Sequence, residues 1–354
     1  MNSEFRTAKK GTSEFDQLIR GTFSATQRAL PVHNLRVGSS EEEVTFEIVD
    51  KKEVKPWVAY RGFIGPKKLL YVLFPIFYFS MLHWSQPFLH SAELECLILG
   101  LVLSLLAVQM KVDTQDFISG YDRIRSDKSQ KVLNKGWRTV AQLERDFKIV
   151  SGLAVLMSVI PLLMEPVRVL SLLATLVLFF VGYSWGVSRK NRLVRDIALG
   201  LIAGPALAFW ILPHAKSLAF GVVWGCLVFF SLQLEHFQHY FAQTQAGEKN
   251  LVTMKSFDQA PSVIWAVWGV CLIVYALMRS LSSHVAWWGG ALLVLIVMSF
   301  IWRKSLFRLQ SPAGSEIDKI VRLGNQLYYT FITLWIAELL FKAFVAPIVA
   351  IWFR

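Results

Sequence analysis

From Trp57 onward, long apolar runs separated by short basic connections dominate the chain. Stretches 166–187, 261–278 and 284–302 are nearly free of charge. Each reaches the roughly 20 residues a helix needs to cross about 30 Å of hydrocarbon. Backbone exposed to lipid must satisfy its own hydrogen bonds, and no alternating barrel pattern is visible, so helices are expected. Spans are predicted at 67–86, 91–110, 147–165, 166–187, 195–213, 216–238, 261–280, 284–303 and 321–352, about nine crossings. Pro66, Pro166 and Pro261 fall where proline suits a helix start, and Pro87 and Pro213 just past helix ends.

Residues 1–56 differ from the rest of the chain. They are polar, with no apolar core of a signal peptide, and are expected to form a cytoplasmic N-terminal extension ahead of a membrane domain at 57–354. Val44, Phe46 and Ile48 alternate with polar residues as in a short strand, and 14–29 has the spacing of an amphipathic helix. A disordered tail is the alternative.

Composition sharpens the class. Of 354 residues 54% are hydrophobic and 18% charged, with a mean hydropathy of +0.45, against about 25% charged in soluble domains. The expectation is an all-α polytopic membrane protein, not a soluble enzyme. The net charge of +12 does not point to nucleic acid, because the basic residues gather in alternate loops. Lys111 to Arg145, Arg189 to Arg195, Lys249 to Lys255 and Arg303 to Arg322 mark one side, whereas the opposite connections hold Arg168, Lys216 and Arg279. That asymmetry predicts a multi-pass protein of the cytoplasmic (inner or plasma) membrane, N-terminus inside and C-terminus outside, meeting anionic lipid or phosphate groups. Cys96, Cys226 and Cys271 lie in apolar spans and read as small buried hydrophobes. Several of the thirteen tryptophans, Trp84, Trp287, Trp288 and Trp352 among them, suit interfacial belts.

One basic loop also concentrates carboxylates. Asp113 and Asp116 are three apart and share a helical face, so both can reach one divalent cation. Gly120 would let the chain turn and return Asp122 to the same ion. Lys128, Lys131, Lys135 and Arg138 follow. Carboxylates holding Mg²⁺ beside such cations make a seat for a diphosphate. A solvated helix end is the plainer reading of the loop alone.

The run Val112-Asp113-Thr114-Gln115-Asp116-Phe117-Ile118-Ser119-Gly120-Tyr121-Asp122 resembles the first aspartate motif, N-D-x-x-D-[YF]-x-x-G-x-D, of the UbiA superfamily of intramembrane prenyltransferases, with Val112 replacing asparagine. Lys131-Val132-Leu133-Asn134-Lys135-Gly136-Trp137 is similar to that family's R-P-L-x-x-G-x. Tyr60-Arg61 through Pro66-Lys67 resembles its opening, and Tyr183-Ser184, Arg189-Lys190 and Asp196 its Y-S…R-x-K…D connection. Ala246-Gly247-Glu248-Lys249-Asn250-Leu251 resembles A-G-K-x-T-L, the tail of the second aspartate motif. Together, in order along the chain, these stretches extend the resemblance over roughly 57–354.

The resemblance implies nine helices around a central cavity, with the site at the cytoplasmic face, transferring a polyprenyl group from its diphosphate to an aromatic or other small acceptor. Asp113, Asp116 and Asp122 would hold Mg²⁺. Lys128, Lys131, Arg138 and Arg189 would neutralise the diphosphate, with Lys190 and Lys249 nearby. Tyr183 would steady the allylic cation through its ring face, or simply pack. The departure lies in the second motif, where the family's D-x-x-x-D falls on His239 and Gln243. Three readings stay open: His239 and Gln243 serve as neutral ligands, with Glu235 supplying charge; diphosphate chemistry is lost and a lipid- or partner-binding relative remains; or Glu235, His236 and His239 bind a transition metal. Taken alone, His236 reads as a hydrogen-bonded histidine near a helix end. Glu338 and Lys342, four apart in the last span, read as a self-neutralising pair. A secondary transporter finds no support, because no inverted repeat is visible.

Overall fold

The computed structural model describes residues 4–32, 43–51, 54–60, 66–82, 91–119, 131–164, 192–211, 215–245, 247–280, 285–309 and 314–341. The chain divides into two compact units, the first drawn from 1–69 with 93–161, the second from 70–92 with 162–354.

The first unit opens with strand β1 (Glu4–Lys9), helix α1 (Ser13–Arg20) and strands β2 (Gln27–Pro31) and β3 (Glu43–Asp50). They form an antiparallel sheet in the order β1-β3-β2, with Val44 opposite Ala8 and Ile48 opposite Ala29. Alternation along β3 puts Val44, Phe46 and Ile48 on one buried face. Helix α1 lays Phe15, Leu18 and Ile19 into the same core. It starts where the Thr12 hydroxyl accepts from the Phe15 N–H at 3.2 Å. It stops at Gly21, whose φ of 68° ends the helix well short of residue 29. The expected tail is therefore a folded sheet-and-helix module, and the chain is mostly helical rather than all-α: period-two apolar residues over eight positions can bury one face only as a strand.

Helix α2 (Pro56–Tyr60) and the first turn of α3 (Pro66–Leu82) lead on, followed by α4 (Ser91–Ser119) and α5 (Val140–Met164). The core under the sheet continues into Ala59, Met110, Phe117, Val132, Leu133, Val140 and Leu143. The C-terminal end of α4 and the N-terminal end of α5 are thus part of the N-terminal module's own core.

The second unit contains the rest of α3, α6 (Arg192–Leu201), a π-helical turn at Ile202–Ala206, α7 (Leu207–Ile211), α8 (Ala215–Gln238), α9 (Tyr240–Gln245), α10 (Ala260–Ser280), α11 (Val285–Leu306) and α12 (Gly314–Leu340). The expected span at 195–213 is interrupted because Pro205 brings no N–H, and the Leu207 N–H bonds back to Ile202 O. Helix α8 is central: 72% of its apolar window is buried, against 28% for α10 and α11. Trp224, Trp268, Trp302 and Trp335 lie in this core rather than in an interfacial belt. The Trp224 indole N–H reaches Tyr71 O at 2.9 Å, and Trp302 reaches Ile320 O at 3.0 Å. The side chains of Trp84, Trp287, Trp288 and Trp352 lie outside the described residues.

Among the described residues four helices, in 98–118, 217–238, 257–280 and 289–306, are long and apolar enough to cross a membrane. The predicted span 166–187 falls outside the described residues. Glu338 pairs across helices, its two oxygens gripped by Arg279 NH1 at 2.9 Å and by NH2. Lys342, the partner expected from sequence, is outside the described residues. A guanidinium fork from a neighbouring helix satisfies a buried carboxylate better than one ammonium on its own helix.

Candidate active site

In the first unit, α4 carries Asp113 and Asp116 one turn apart in its last turns, both buried. Lys131 stands between them, its Nζ 3.2 Å from Asp113 Oδ1 and 3.1 Å from Asp116 Oδ2. Gln109, one turn earlier, donates from Nε2 to Asp113 Oδ1 at 2.8 Å. Two carboxylates that cannot share a buried space without repulsion are thus bridged by one cation.

Lys131 is placed by the turn that follows it. The Gly136 N–H bonds to Leu133 O and the Trp137 N–H to Val132 O, both at 3.0 Å, and Gly136 has φ 64°. That paired closure needs a left-handed residue, which is why glycine stands there. The same device recurs at Gly247 (φ 70°), where Gly247 N bonds Thr244 O and Glu248 N bonds Gln243 O. Lys135 is exposed, and its ammonium sits 4.5 Å over the Trp137 ring. Arg138 lies 5.6 Å over the Tyr60 ring, and the Tyr60 hydroxyl donates to Asp146 Oδ2. Burial, then the hydrogen bond to Asp146, pushes the Tyr60 phenol up to about 12. Arg28 of β2 is buried beside this group, and its pKa is lowered by burial and then by the charge of Arg138.

In the second unit a chain of side chains runs through the place where the second aspartate motif was expected. Asn250 Oδ1 accepts from the backbone N–H groups of Val252 (3.0 Å) and Thr253 (2.8 Å). Its Nδ2 must therefore donate, and does so to Gln243 Oε1 at 2.8 Å. Gln243 Nε2 then donates to His236 Nδ1 at 2.9 Å. Nδ1 being an acceptor, the ring carries its proton on Nε2 and gives it to Asp196 Oδ2 at 2.7 Å. Gln233 adds a bond to the same oxygen at 3.3 Å, and Arg195 binds Oδ1 from Nε and NH2 at 3.2 and 3.0 Å. Asp196, Gln233, His236, Gln243 and Asn250 are all buried. Beside them Arg192 pairs with Glu248 at 2.5 Å.

Glycines bring the two strands of this network together. Gly200 and Gly204 face Gly221 and Gly225 across the crossing of α6 and the π turn with α8. A Cβ on Gly204 would stand 2.3 Å from Gly221 O, and one on Gly200 3.1 Å from Gly225 O. Backbones this close hold α6 against α8, on which Asp196 and His236 meet beyond the crossing. Flanking the crossing is an apolar cavity of about 550 Å³, lined by Ile197, Gly200, Gly225, Cys226, Phe229 and Leu251 among others. Cys226 and Cys271 lie on this wall, the Cys271 thiol donating to Cys226 O at 3.2 Å.

Asp113, Asp116 and Lys131 are thus brought together as the sequence implies, and Arg138 lies on the same unit. Asp122, Lys128, Tyr183, Arg189 and Lys190 lie outside the described residues. Gln243 is a link in a buried hydrogen-bond chain, its amide oxygen and nitrogen both engaged. His239 sits, half-buried, at the break between α8 and α9, and Lys249 is exposed. The transition-metal reading of Glu235, His236 and His239 is overturned, since both His236 ring nitrogens are already used. Among the described residues no three His, Cys, Asp or Glu side chains gather closely enough to hold a metal. Sequence reasoning left Arg195, Gln233 and Asn250 without a role. Asp196 and His236 are forty residues apart, and no spacing along the chain connects them.

No protein-family model matches this chain, and no curated protein does. A solved structure does. It is that of a digeranylgeranylglyceryl phosphate synthase in membranes, matched with a TM-score of 0.57 at 11% identity over 80% of this chain and 98% of that one. At that identity the likeness is one of fold. About a fifth of this chain has no counterpart there.

Proposed function

We propose that this protein is an intramembrane prenyltransferase of UbiA type, which moves a polyprenyl group from its diphosphate to a small acceptor at the cytoplasmic face. The observation that carries the reading is the convergence of Asp113 and Asp116 on one cation position. The fold shared with a membrane synthase that makes a prenylated product supports it. Two buried carboxylate oxygens within 3.2 Å of a single positive centre form a donor set suited to a hard divalent cation. Asp113 and Asp116 would hold Mg²⁺, with Asp122 as the third carboxylate from the sequence motif; when bound, the ion would supply charge to the diphosphate. Lys131 would shift from the carboxylates onto phosphate oxygens, and Arg138 would add a second positive charge to the leaving group. Apolar walls would keep water from the allylic cation.

A second reading has its own observation. Gln243 stands where the family carries a carboxylate, and it is locked between His236 and Asn250. A site that has exchanged a charged ligand for a neutral structural link fits a relative that binds an isoprenoid lipid or a partner without turnover.

The test uses the detergent-solubilised full chain, radiolabelled polyprenyl diphosphates, a membrane extract as acceptor source, and Mg²⁺. Transfer is expected from the natural protein and is expected to fall at least about a hundredfold in Asp116→Asn. Full activity in that variant removes Asp116 from the site. Tight donor binding with no transfer, unchanged in Asp113→Ala, establishes the second reading.

A further inference from the structure

The N-terminal module shares its core with both motifs of the carboxylate–lysine cluster. Phe117, the residue after Asp116, and Val132 and Leu133, the residues after Lys131, are buried in one cluster with Phe15, Leu18, Ile19 and Phe46. Three close approaches reinforce this. A Cβ on Gly136 would stand 3.0 Å from Arg28 Cδ and 3.5 Å from Leu30 Cδ1, so β2 covers the turn that ends the Lys131 segment. Gly21, which ends α1, lies against Thr139, with 2.7 Å from its would-be Cβ to the Thr139 methyl. Arg20 reaches Glu144 at 3.5 Å.

From this the geometry points to a positioning role for the extension: α1 and the sheet hold the 131–137 turn against α4, so that Lys131 stays between Asp113 and Asp116. Val132 and Leu133 are the turn's apolar anchors, and they sink into the module's core. A loosened core frees the turn to move as a piece, because its internal bonds (Gly136 to Leu133, Trp137 to Val132) do not depend on the sheet. Lys131 then leaves two buried carboxylates to repel each other. Ile19 is the natural lever, since it lines one small cavity with Phe117 and Leu133 and is buried in the same core. The arrangement of residues stands by itself; its consequence for catalysis rests on the diphosphate reading above.

The experiment is residue-resolved amine acylation of the full chain, read by mass spectrometry. Lys131, whose side chain is 15% exposed, is expected to react slowly beside the exposed Lys135 and Lys249. In Ile19→Ala its rate is expected to rise about tenfold while those two stay within about twofold. Ile19→Val, which deletes one methyl, is expected to give about a threefold rise and serves if the alanine variant does not fold. Leu227→Ala, in the core of the second unit, is expected to leave Lys131 unchanged. An unaltered Lys131 rate in both Ile19 variants, or an equal rise in Leu227→Ala, overturns the proposal.

Titration with inorganic pyrophosphate and Mg²⁺ supplies the functional arm. Ile19→Ala is expected to weaken binding about tenfold in the natural background and not at all in Lys131→Met. Equal losses in both backgrounds overturn the link through Lys131. No binding by the natural protein sinks the diphosphate reading, while the acylation result still decides whether the module positions Lys131.

Discussion

Tyr60 shows how much one side chain reports. Its phenol is held protonated by burial and by the bond to Asp146, so its pKa in the fold stands at about 12 against 10.0 in an unperturbed tyrosine. A group whose pKa is raised by folding stabilises fully below its unfolded pKa and loses that contribution as pH climbs through the folded one. Melting temperature should therefore fall between pH 10 and about 12 more steeply in the natural protein than in Tyr60→Phe. Below pH 10 the variant should be less stable by about 1 kcal/mol, the worth of one hydrogen bond. Equal alkaline slopes in thermal melts of the two proteins would refute this. Lys131 and Gln243 make a related point. The first was legible as a cation beside the aspartates, because its type and its place in the loop after α4 suggest that pairing. The second was legible only as a missing carboxylate, because its partners His236 and Asn250 lie seven residues away on either side, one in a helix and one in a loop.

Among the elements, the crossing of α6 with α8 depends most on a single residue type. The would-be Cβ of Gly204 meets Gly221 O at 2.3 Å and Gly225 Cα at 2.6 Å, all backbone, so no side chain can move aside. Gly204→Ala should force the helices apart and cost about 2 kcal/mol or more, with Asp196 drawn away from His236. Gly152, in α5, has nothing within 4 Å of its would-be Cβ, so Gly152→Ala should be neutral or slightly stabilising through helix propensity. Thermal unfolding in one detergent checks both, and equal effects would show that the crossing has slack. The apolar spans themselves were plain in the sequence, since twenty uncharged residues admit few other structures. The π turn at Ile202–Ala206 was signalled by Pro205, but a proline can kink, end or bulge a helix, and packing chooses among these.

At the scale of the molecule, the basic residues predict the orientation. On the orientation that the basic loops predict, nine crossings from an interior N-terminus, an alkaline phosphatase fused after Arg354 should be active outside the cytoplasm, and one inserted after Lys255 should be silent. Activity at Lys255 with silence at the C-terminus would invert the assignment, and with it the cytoplasmic placement of Asp113 and Asp116. The two units differ in what holds them. The first is built around a soluble-style core of sheet, helix and turn. The second is organised around α8, whose Phe220 meets Trp335 of α12 with ring centroids 4.5 Å apart, and it carries the Arg279–Glu338 pair.

The sequence by itself determined the membrane character, the position of four apolar spans among the described residues and the grouping of Asp113, Asp116 and Lys131. Each of these follows from hydropathy, charge or spacing within about thirty residues. Tertiary structure decided that the N-terminal extension is a folded module sharing a core with the aspartate motif, that Glu338 answers Arg279, and that Gln243 joins His236 to Asn250. These depend on which distant segments meet, and a pattern along the chain carries no direct record of that. Burial then does the selecting: a polar atom cut off from water takes the partner that packing offers, wherever it lies in the chain.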